Sequence, residues 1–125
     1  MADDQTTIQA LRQLVERFVS ERHWRQFHTP KNLSMALAIE AAELMEHFQW
    51  LDPLESRAVA QDARKRDAAG EELADVVCYA LAMANELGID VSEAMQNKMI
   101  KNAQKYPADK FRGRWGVEDS REANG

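Results

Sequence analysis

Two pairs of carboxylates, each pair three residues apart, interrupt the apolar pattern of the chain. Glu40 and Glu43 lie in the segment NLSMALAIEAAELMEHFQW, and Glu72 and Asp75 lie in GEELADVVCYALAMANELG. In both segments the apolar residues recur with a helical period, and residues three apart share one face of a helix. A carboxylate at an apolar face is costly unless it is paired or binds a metal ion. The two pairs therefore predict a site for a hard cation that prefers oxygen ligands.

The apolar stripes of these two segments define the faces that we expect to be buried. In the first segment Glu40 falls in line with Leu33, Leu37, Leu44 and Phe48. In the second segment Glu72, Asp75 and Tyr79 lie along the edge of the stripe. That second stripe consists of Leu73, Val76, Val77, Ala80, Leu81 and Ala84. The alternative interpretation is that the carboxylates are solvated, as most glutamates of helical proteins are.

The histidines decide which metal the carboxylates would suit. A di-iron carboxylate bundle needs a Glu-x-x-His motif on each of two helices. The histidines stand at 23, 28 and 47, and none of them follows an acidic residue by three positions. An all-oxygen site for Mg²⁺ or Mn²⁺ is therefore favoured over an iron site.

Composition narrows the class of protein. The chain has 125 residues, 45% of them hydrophobic and 30% charged, which is typical of a single soluble domain. The net charge of −5 argues against a nucleic acid polymer as partner. The sequence shows no basic segment followed by a long apolar run, so we expect no signal peptide, no membrane span and a cytoplasmic location. Cys78, the only cysteine, is predicted to be a small core residue.

Helix signals follow one another along the whole chain and predict an all-α fold of about four main helices. A capping box at Thr6 opens the first helix, which ends near Arg22. The second helix runs to Trp50, with its start open between Thr29-Pro30 and Asn32.

The second half of the chain carries equally clear signals. Asp52 and Pro53 restart the helix, and residues 56–69 are expected to form a short surface helix or a helical loop. The third main helix stops at Gly88, a residue suited to a helix C-terminus. Asp90 caps the fourth, which ends before Pro107.

Aromatic side chains are grouped in this sequence, and two of them, Trp24 and Trp50, lie at helix ends where they could flank a flat ring. Base-on-aromatic stacking is worth roughly 1–3 kcal/mol per base. Lys98 and Asn102, four apart on the last main helix, could reach phosphate oxygens held on a metal. The alternatives are ordinary core packing for the aromatic residues and a solvated face for the helix. The grouped aromatic and imidazole side chains are Trp24, Phe27, His28, Trp50 and Tyr79.

Taken together, the motifs resemble those of the MazG-like all-α nucleoside triphosphate pyrophosphohydrolases. The Glu-x-x-Glu pair at 40–43 and the Glu-x-x-Asp pair at 72–75 match the signature of that family. The flanking segments ERHWRQFHTPKNL, FQW, ELADVVCYALAMA and KMIKNAQKYP are similar to the dCTP pyrophosphatase branch. The resemblance covers about residues 8–107 and leaves out the last residues of the tail.

The resemblance implies a fold, an activity and an assembly. It implies a four-helix-bundle-like MazG-type fold over residues 1–107, followed by a polar tail at 108–125. It implies Mg²⁺-dependent hydrolysis of a (d)NTP, with dCTP or a modified pyrimidine dNTP expected, to the monophosphate and pyrophosphate. It also implies a homotetramer built from dimers. The alternatives are a broad-specificity NTP or dUTP pyrophosphatase, and a non-enzymatic helical interaction module that holds a structural ion.

The resemblance also implies roles for single residues. Glu40 and Glu43 are the two candidates for the general base, and the residues alone do not separate them. The metal-binding positions are Glu40, Glu43, Glu72 and Asp75. The positions around the base and sugar are Trp24, His28, Trp50 and Tyr79. The positions near the phosphates are Lys98 and Asn102.

Overall fold

Capping side chains set the start of each long helix in the computed structural model, which describes residues 1–114. Helix α1 spans Ile8–Glu21, and the hydroxyl of Thr7 accepts a hydrogen bond of 3.0 Å from the Ala10 amide. The expected cap at Thr6 is therefore wrong by one residue. Helix α2 spans Pro30–Glu46 and is capped by Thr29, so it ends before Trp50.

The stretch 56–69 is divided between helices rather than forming one of its own. Helix α3 spans Pro53–Ala58 and is capped by Asp52, as predicted. A 3-10 helix over Val59–Gln61 follows, and helix α4 spans Ala63–Leu87. Asp62 caps α4 by accepting a hydrogen bond from the Lys65 amide, a signal that the sequence prediction missed.

The chain divides after Ile89 into two packed units. The second unit begins with helix α5, Val91–Lys105, capped by Asp90 as predicted, and continues with the short helix α6, Ala108–Phe111. Helix α6 lies in the stretch expected to be a polar tail, and residues 115–125 of that tail lie outside the described residues. Residues 1–114 are helical without any strand, which confirms the all-α prediction. None of their helices is both long enough and apolar enough to cross a membrane.

Helix α4 is the central element of the first unit, because both α1 and α2 pack against it. Leu33 of α2 is 2% exposed, and the rest of the predicted α2 stripe is half-buried. The buried side chains of this unit are Val19, Leu33, Val59, Leu81, Ala82 and Ala84.

The predicted α4 stripe is only partly correct. Leu81 and Ala84 are buried, but Leu73 and Val77 are exposed, and Glu72 and Tyr79 are half-buried in their place. Helix α4 has apolar residues on more than one face, so periodicity alone does not show which face meets α2. Cys78 is likewise exposed rather than part of the core.

One glycine inside α4 and one directly after it lead to opposite stability predictions. Gly88 follows the helix with φ 65°, a left-handed conformation that costs a residue with a side chain about 1 kcal/mol. Gly70 lies inside the helix with no atom within 4 Å of an added Cβ. We expect Gly88→Ala to lower the free energy of unfolding by about 1 kcal/mol. Gly70→Ala should raise it by up to about 1 kcal/mol. Urea denaturation of both variants measures this, and a Gly88→Ala protein as stable as wild type would contradict the C-terminal geometry.

Candidate metal and nucleotide site

Packing of α2 on α4 brings the two carboxylate pairs together. Carboxylate oxygens of Glu40, Glu43 and Glu72 all lie within 4.8 Å of one another, and all three residues are half-buried. Asp75, one turn further along α4, is more exposed, but its charge acts on both Glu40 and Glu72. The arrangement is the convergence of two helix faces that the spacing of the pairs predicts.

The proximity of these groups disturbs their protonation. Burial, followed by the neighbouring Glu43, raises the pKa of Glu40 from 4.5 to about 7. Burial also raises the pKa of Glu72, with Glu43 and Asp75 adding to the effect. Removal from water and like-charge repulsion both disfavour the ionised form, so the metal-free cluster holds protons that isolated carboxyls would release.

Unpartnered oxygens in the cluster fit a cation. Oε2 of Glu40 and Oε2 of Glu72 are buried and accept no hydrogen bond from the described residues. Within residues 1–89, no lysine, arginine or histidine forms an ion pair with any of the four carboxylates. Buried acceptors of this kind are expensive to leave unsatisfied. A donor set made only of carboxylate oxygens suits a hard divalent ion such as Mg²⁺.

A cavity of about 570 Å³ connects the carboxylates to aromatic side chains. Its volume lies within the range of small-molecule pockets. His28 and Tyr79 face each other across 6.4 Å between ring centroids, and Phe18 meets Trp24 edge-on at 5.6 Å. The lining residues include both carboxylates and rings: Phe18, Trp24, His28, Glu40, Asp75 and Tyr79.

A tight turn after α1 places Trp24 and His28 at this cavity. The Trp24 amide donates to the carbonyl of Val19, while His23 adopts a left-handed conformation with φ 53°. At the other end of the turn, the Asn32 side-chain amide donates to the carbonyl of Phe27 at 3.0 Å. The segment between the two helices is therefore fixed at both ends by backbone and side-chain hydrogen bonds.

The remaining predicted site residues belong to other segments of the chain. Trp50 is 87% exposed, follows the end of α2 and does not line the cavity. The expected continuous helix up to Trp50 is wrong, because α2 ends at Glu46. Lys98 and Asn102 lie four apart on α5, in the second unit. A role in substrate binding for these three residues stays a prediction.

Helix α1 contributes a wall of the cavity that the sequence prediction missed. Leu14, Val15, Phe18 and Val19 line it, although their spacing indicates only an ordinary core stripe. Phe18 meets Trp24 edge-on and also contacts the Arg22 guanidinium, whose carbon lies 3.7 Å from the Phe18 ring centroid. A short-range signal did exist, since an aromatic residue four positions before an arginine and six before a tryptophan can form such a stack.

Comparison with known proteins identifies the family. The model of the MazG-like family matches residues 35–116, a span that includes all four carboxylates. The chain belongs to the MazG-like family. The resemblance inferred from the motifs is thereby confirmed.

Curated relatives of this MazG-like chain carry a common name. It is 41% identical over 107 residues to dCTP pyrophosphatase 1 of Mus musculus, covering 86% of this chain and 63% of that protein. The Homo sapiens protein of the same name is 41% identical over 102 residues, covering 82% of this chain and 60% of its own length. The chain thus spans less than two thirds of the length of these relatives.

A solved structure shares the fold. The crystal structure of a pyrophosphatase from Archaeoglobus fulgidus superposes on this MazG-like chain with a TM-score of 0.74 at 34% sequence identity. The match covers 86% of this chain and 98% of the other. The MazG-type fold expected from the sequence is therefore confirmed.

The raised pKa of Glu40 predicts a pH-dependent stability. A folded-state pKa of about 7 against 4.5 means that the folded chain binds this proton more tightly than the unfolded chain. Without metal, stability should therefore fall as pH rises from about 4.5 through about 7. In chelator we expect Glu40→Gln to melt above wild type at pH 8, with the difference lost at pH 4, because glutamine carries no charge to bury.

The control for that melting experiment is Glu71→Gln. Glu71 is an exposed residue of α4 beside the cluster. Its substitution should leave the dependence of melting temperature on pH unchanged. A Glu40→Gln difference of equal size at both pH values would show that charge burial is not its cause.

Proposed function

We propose that the chain is a Mg²⁺-dependent nucleoside triphosphate pyrophosphohydrolase with dCTP, or a modified pyrimidine dNTP, as its substrate. The products are the nucleoside monophosphate and pyrophosphate. The observation that carries the proposal is a single cavity lined by Glu40, Asp75 and the rings of Trp24, His28 and Tyr79. The relatives named dCTP pyrophosphatase 1 support it, as does membership of the MazG-like family.

The four carboxylates would hold the ion, with Mn²⁺ as a possible substitute for Mg²⁺. Such an ion, when bound, neutralises phosphate charge, polarises the phosphoryl oxygens and lowers the pKa of the attacking water. The carboxylates themselves bind no triphosphate, since like charges repel, so substrate binding should depend strictly on the cation. Lys98 and Asn102 are proposed to bind phosphate oxygens by hydrogen bonds.

One carboxylate has a second task in the proposed reaction. Glu40 or Glu43 accepts the proton of the attacking water, the step that general-base catalysis assigns to a group within hydrogen-bonding reach. Both lie on α2 at the cluster, three residues apart, so both are candidates for this role.

The aromatic part of the cavity is proposed to bind the base and sugar. Trp24 and Tyr79 offer ring surfaces for stacking, while His28 provides a hydrogen-bonding group at the sugar or base edge. Aliphatic side chains of α1 close the wall and exclude water from the base. Apolar walls tolerate a small added group, so 5-methyl-dCTP should be hydrolysed at least as well as dCTP.

The assembly proposed is a homotetramer, a dimer of dimers with sites near subunit boundaries, acting on free nucleotides in the cytoplasm. Each subunit would contribute residues 1–107 as its catalytic domain. Exposed apolar side chains support this assembly, because a subunit interface would bury them. They include Leu73, Val77 and Ile39. Trp50 is a further large side chain that is 87% exposed in the single chain, and we propose that it reaches the cavity of a neighbouring subunit.

The activity is tested by pyrophosphate release. We expect release from dCTP and 5-methyl-dCTP with Mg²⁺, weaker release from dTTP, dUTP and dATP, and none in chelator. Glu43→Gln and Asp75→Asn should each reduce the rate to background at unchanged helicity, because an amide is a poor ligand for Mg²⁺. Glu71→Gln, an exposed neutralisation beside the cluster, should retain full activity.

The outcomes separate three functions. Equal rates on all nucleotides would replace the proposal with a broad-specificity enzyme. No release from any nucleotide, with Mg²⁺ still raising the melting temperature, would indicate a non-enzymatic module with a structural ion. Full activity in Glu43→Gln or Asp75→Asn would remove the carboxylate cluster from the mechanism.

The role of Trp50 is tested together with the assembly. We expect sedimentation velocity at micromolar concentration to show a tetramer, and Trp50→Ala to raise KM for dCTP about tenfold through lost stacking. Phe27→Ala, an exposed aromatic that does not line the cavity, serves as the control and should leave KM unchanged. A fully active monomer would contradict both the assembly and the role of Trp50.

A further inference from the structure

A reciprocal set of hydrogen bonds joins Arg12 of α1 to the C-terminal end of α4. The Arg12 Nε–H donates to Oδ1 of Asn85 at 2.9 Å, and its two terminal nitrogens donate to the carbonyls of Ala84 and Ile89. In return, the Asn85 side-chain amide donates to the Arg12 carbonyl at 3.1 Å. We call these two side chains and their bonds the Arg12–Asn85 clamp.

The clamp fixes the position of α1 in a way that apolar packing does not. Guanidinium donors form a rigid planar fork, so three bonds to three acceptors define both the rotation and the axial register of the helix. By contrast, Val19 is the only fully buried residue of α1, while Leu14 and Phe18 are each 48% exposed.

No other side-chain hydrogen bond described in the first unit joins α1 to a residue distant in sequence. The other side-chain hydrogen bonds described within residues 1–89 join residues at most six apart in sequence. Arg25 lies 3.5 Å from Glu16 of α1 and 3.9 Å from Glu86 of α4. These ion pairs are largely exposed and therefore contribute little to holding α1 on α4.

The clamp lies along the same helix as the wall of the cavity. Leu14, Val15 and Phe18 follow Arg12 within two turns of α1 and face the cavity beside Cys78 and Ala82 of α4. Helix α1 thus runs antiparallel to α4. The clamp lies at one end of the contact between these two helices, and the cavity lies further along that contact. A shift of α1 in register or rotation would displace the cavity wall directly.

The metal cluster is formed by a different pair of helices from the one that the clamp joins. Its carboxylates belong to α2 and α4, and these two helices make the most extensive contact between elements of the first unit. Loosening α1 should therefore affect the apolar wall and leave the carboxylates in place.

We infer that Arg12 is a positioning residue, which with Asn85 holds α1 in the register that shapes the nucleotide-binding wall of the cavity and thereby sets nucleotide affinity. The inference rests on the proposed function for its kinetic consequence. Its structural consequence can be measured without any substrate.

The kinetic test compares KM with kcat at a temperature well below melting. We expect Arg12→Met and Arg12→Lys each to raise KM for dCTP about tenfold, equal to about 1.4 kcal/mol. The change in kcat should be no more than about twofold. Lysine keeps the charge but not the fork, so it should not rescue. Asn85→Leu should behave alike, whereas Asn85→Asp, which keeps an acceptor for the guanidinium, should recover most of the affinity.

A matched control and a second readout keep the test decisive. Arg17→Met removes an exposed arginine from the same helix and should leave KM unchanged. Hydrogen–deuterium exchange of the metal-free chain should be faster in α1 of Arg12→Met than in wild type and unchanged in α2. Mg²⁺ should raise the melting temperatures of variant and wild type equally.

Each outcome decides the inference. If Arg12 merely stabilises the fold, its variants lose active fraction, so kcat falls, KM stays constant and the inference is overturned. Unchanged exchange in α1 overturns it as well, even if the wild-type chain hydrolyses no nucleotide. Failure of wild type to release pyrophosphate counts only against the proposed function, and faster exchange confined to α1 would still support the clamp.

Discussion

The mutual repulsion of Glu40, Glu43 and Glu72 is opposed by the packing of α2 against α4. Carboxylate oxygens within 4.8 Å of one another cannot all be ionised without cost, and burial, followed by the neighbouring Glu43, raises the pKa of Glu40 to about 7. The extensive contact between α2 and α4, with Leu33 of α2 buried, holds the two helices together despite this repulsion. A bound cation would relieve the same conflict that protons relieve in the empty cluster. An arrangement that lowers the stability of the free chain is thus what makes it able to bind a cation.

Features that depend on a few neighbouring residues could be predicted from the sequence. The caps at Asp52 and Asp90 and the left-handed Gly88 are local, because one side chain or one dihedral angle decides them. The start of α4 was missed because Lys65, rather than a glutamate, occupies the third helical position after Asp62. The buried face of α4 could not be predicted either, since it depends on which helices pack against it.

The same distinction, between local features and features that depend on packing, separates the parts of the candidate site that could be predicted from those that could not. Convergence of the carboxylate pairs is predictable, because each pair has helical spacing and an apolar stripe beside it. That Trp24 and His28 line the same cavity depends on the turn after α1 and on the left-handed His23, which no periodicity reveals. Periodicity could not show that α1 lines the cavity, because residues that line a cavity and residues that fill a core have the same apolar character.

Cys78 gives the chain a single natural attachment point for a chemical probe. It is the only cysteine in the sequence, it is exposed, and it lines the cavity on α4 beside Tyr79. Partial removal from water, with the charge of Asp75, raises the pKa of its thiol, so alkylation will be slow at neutral pH and faster in alkaline solution. A fluorophore or spin label placed there would report on occupancy of the cavity without any engineered residue.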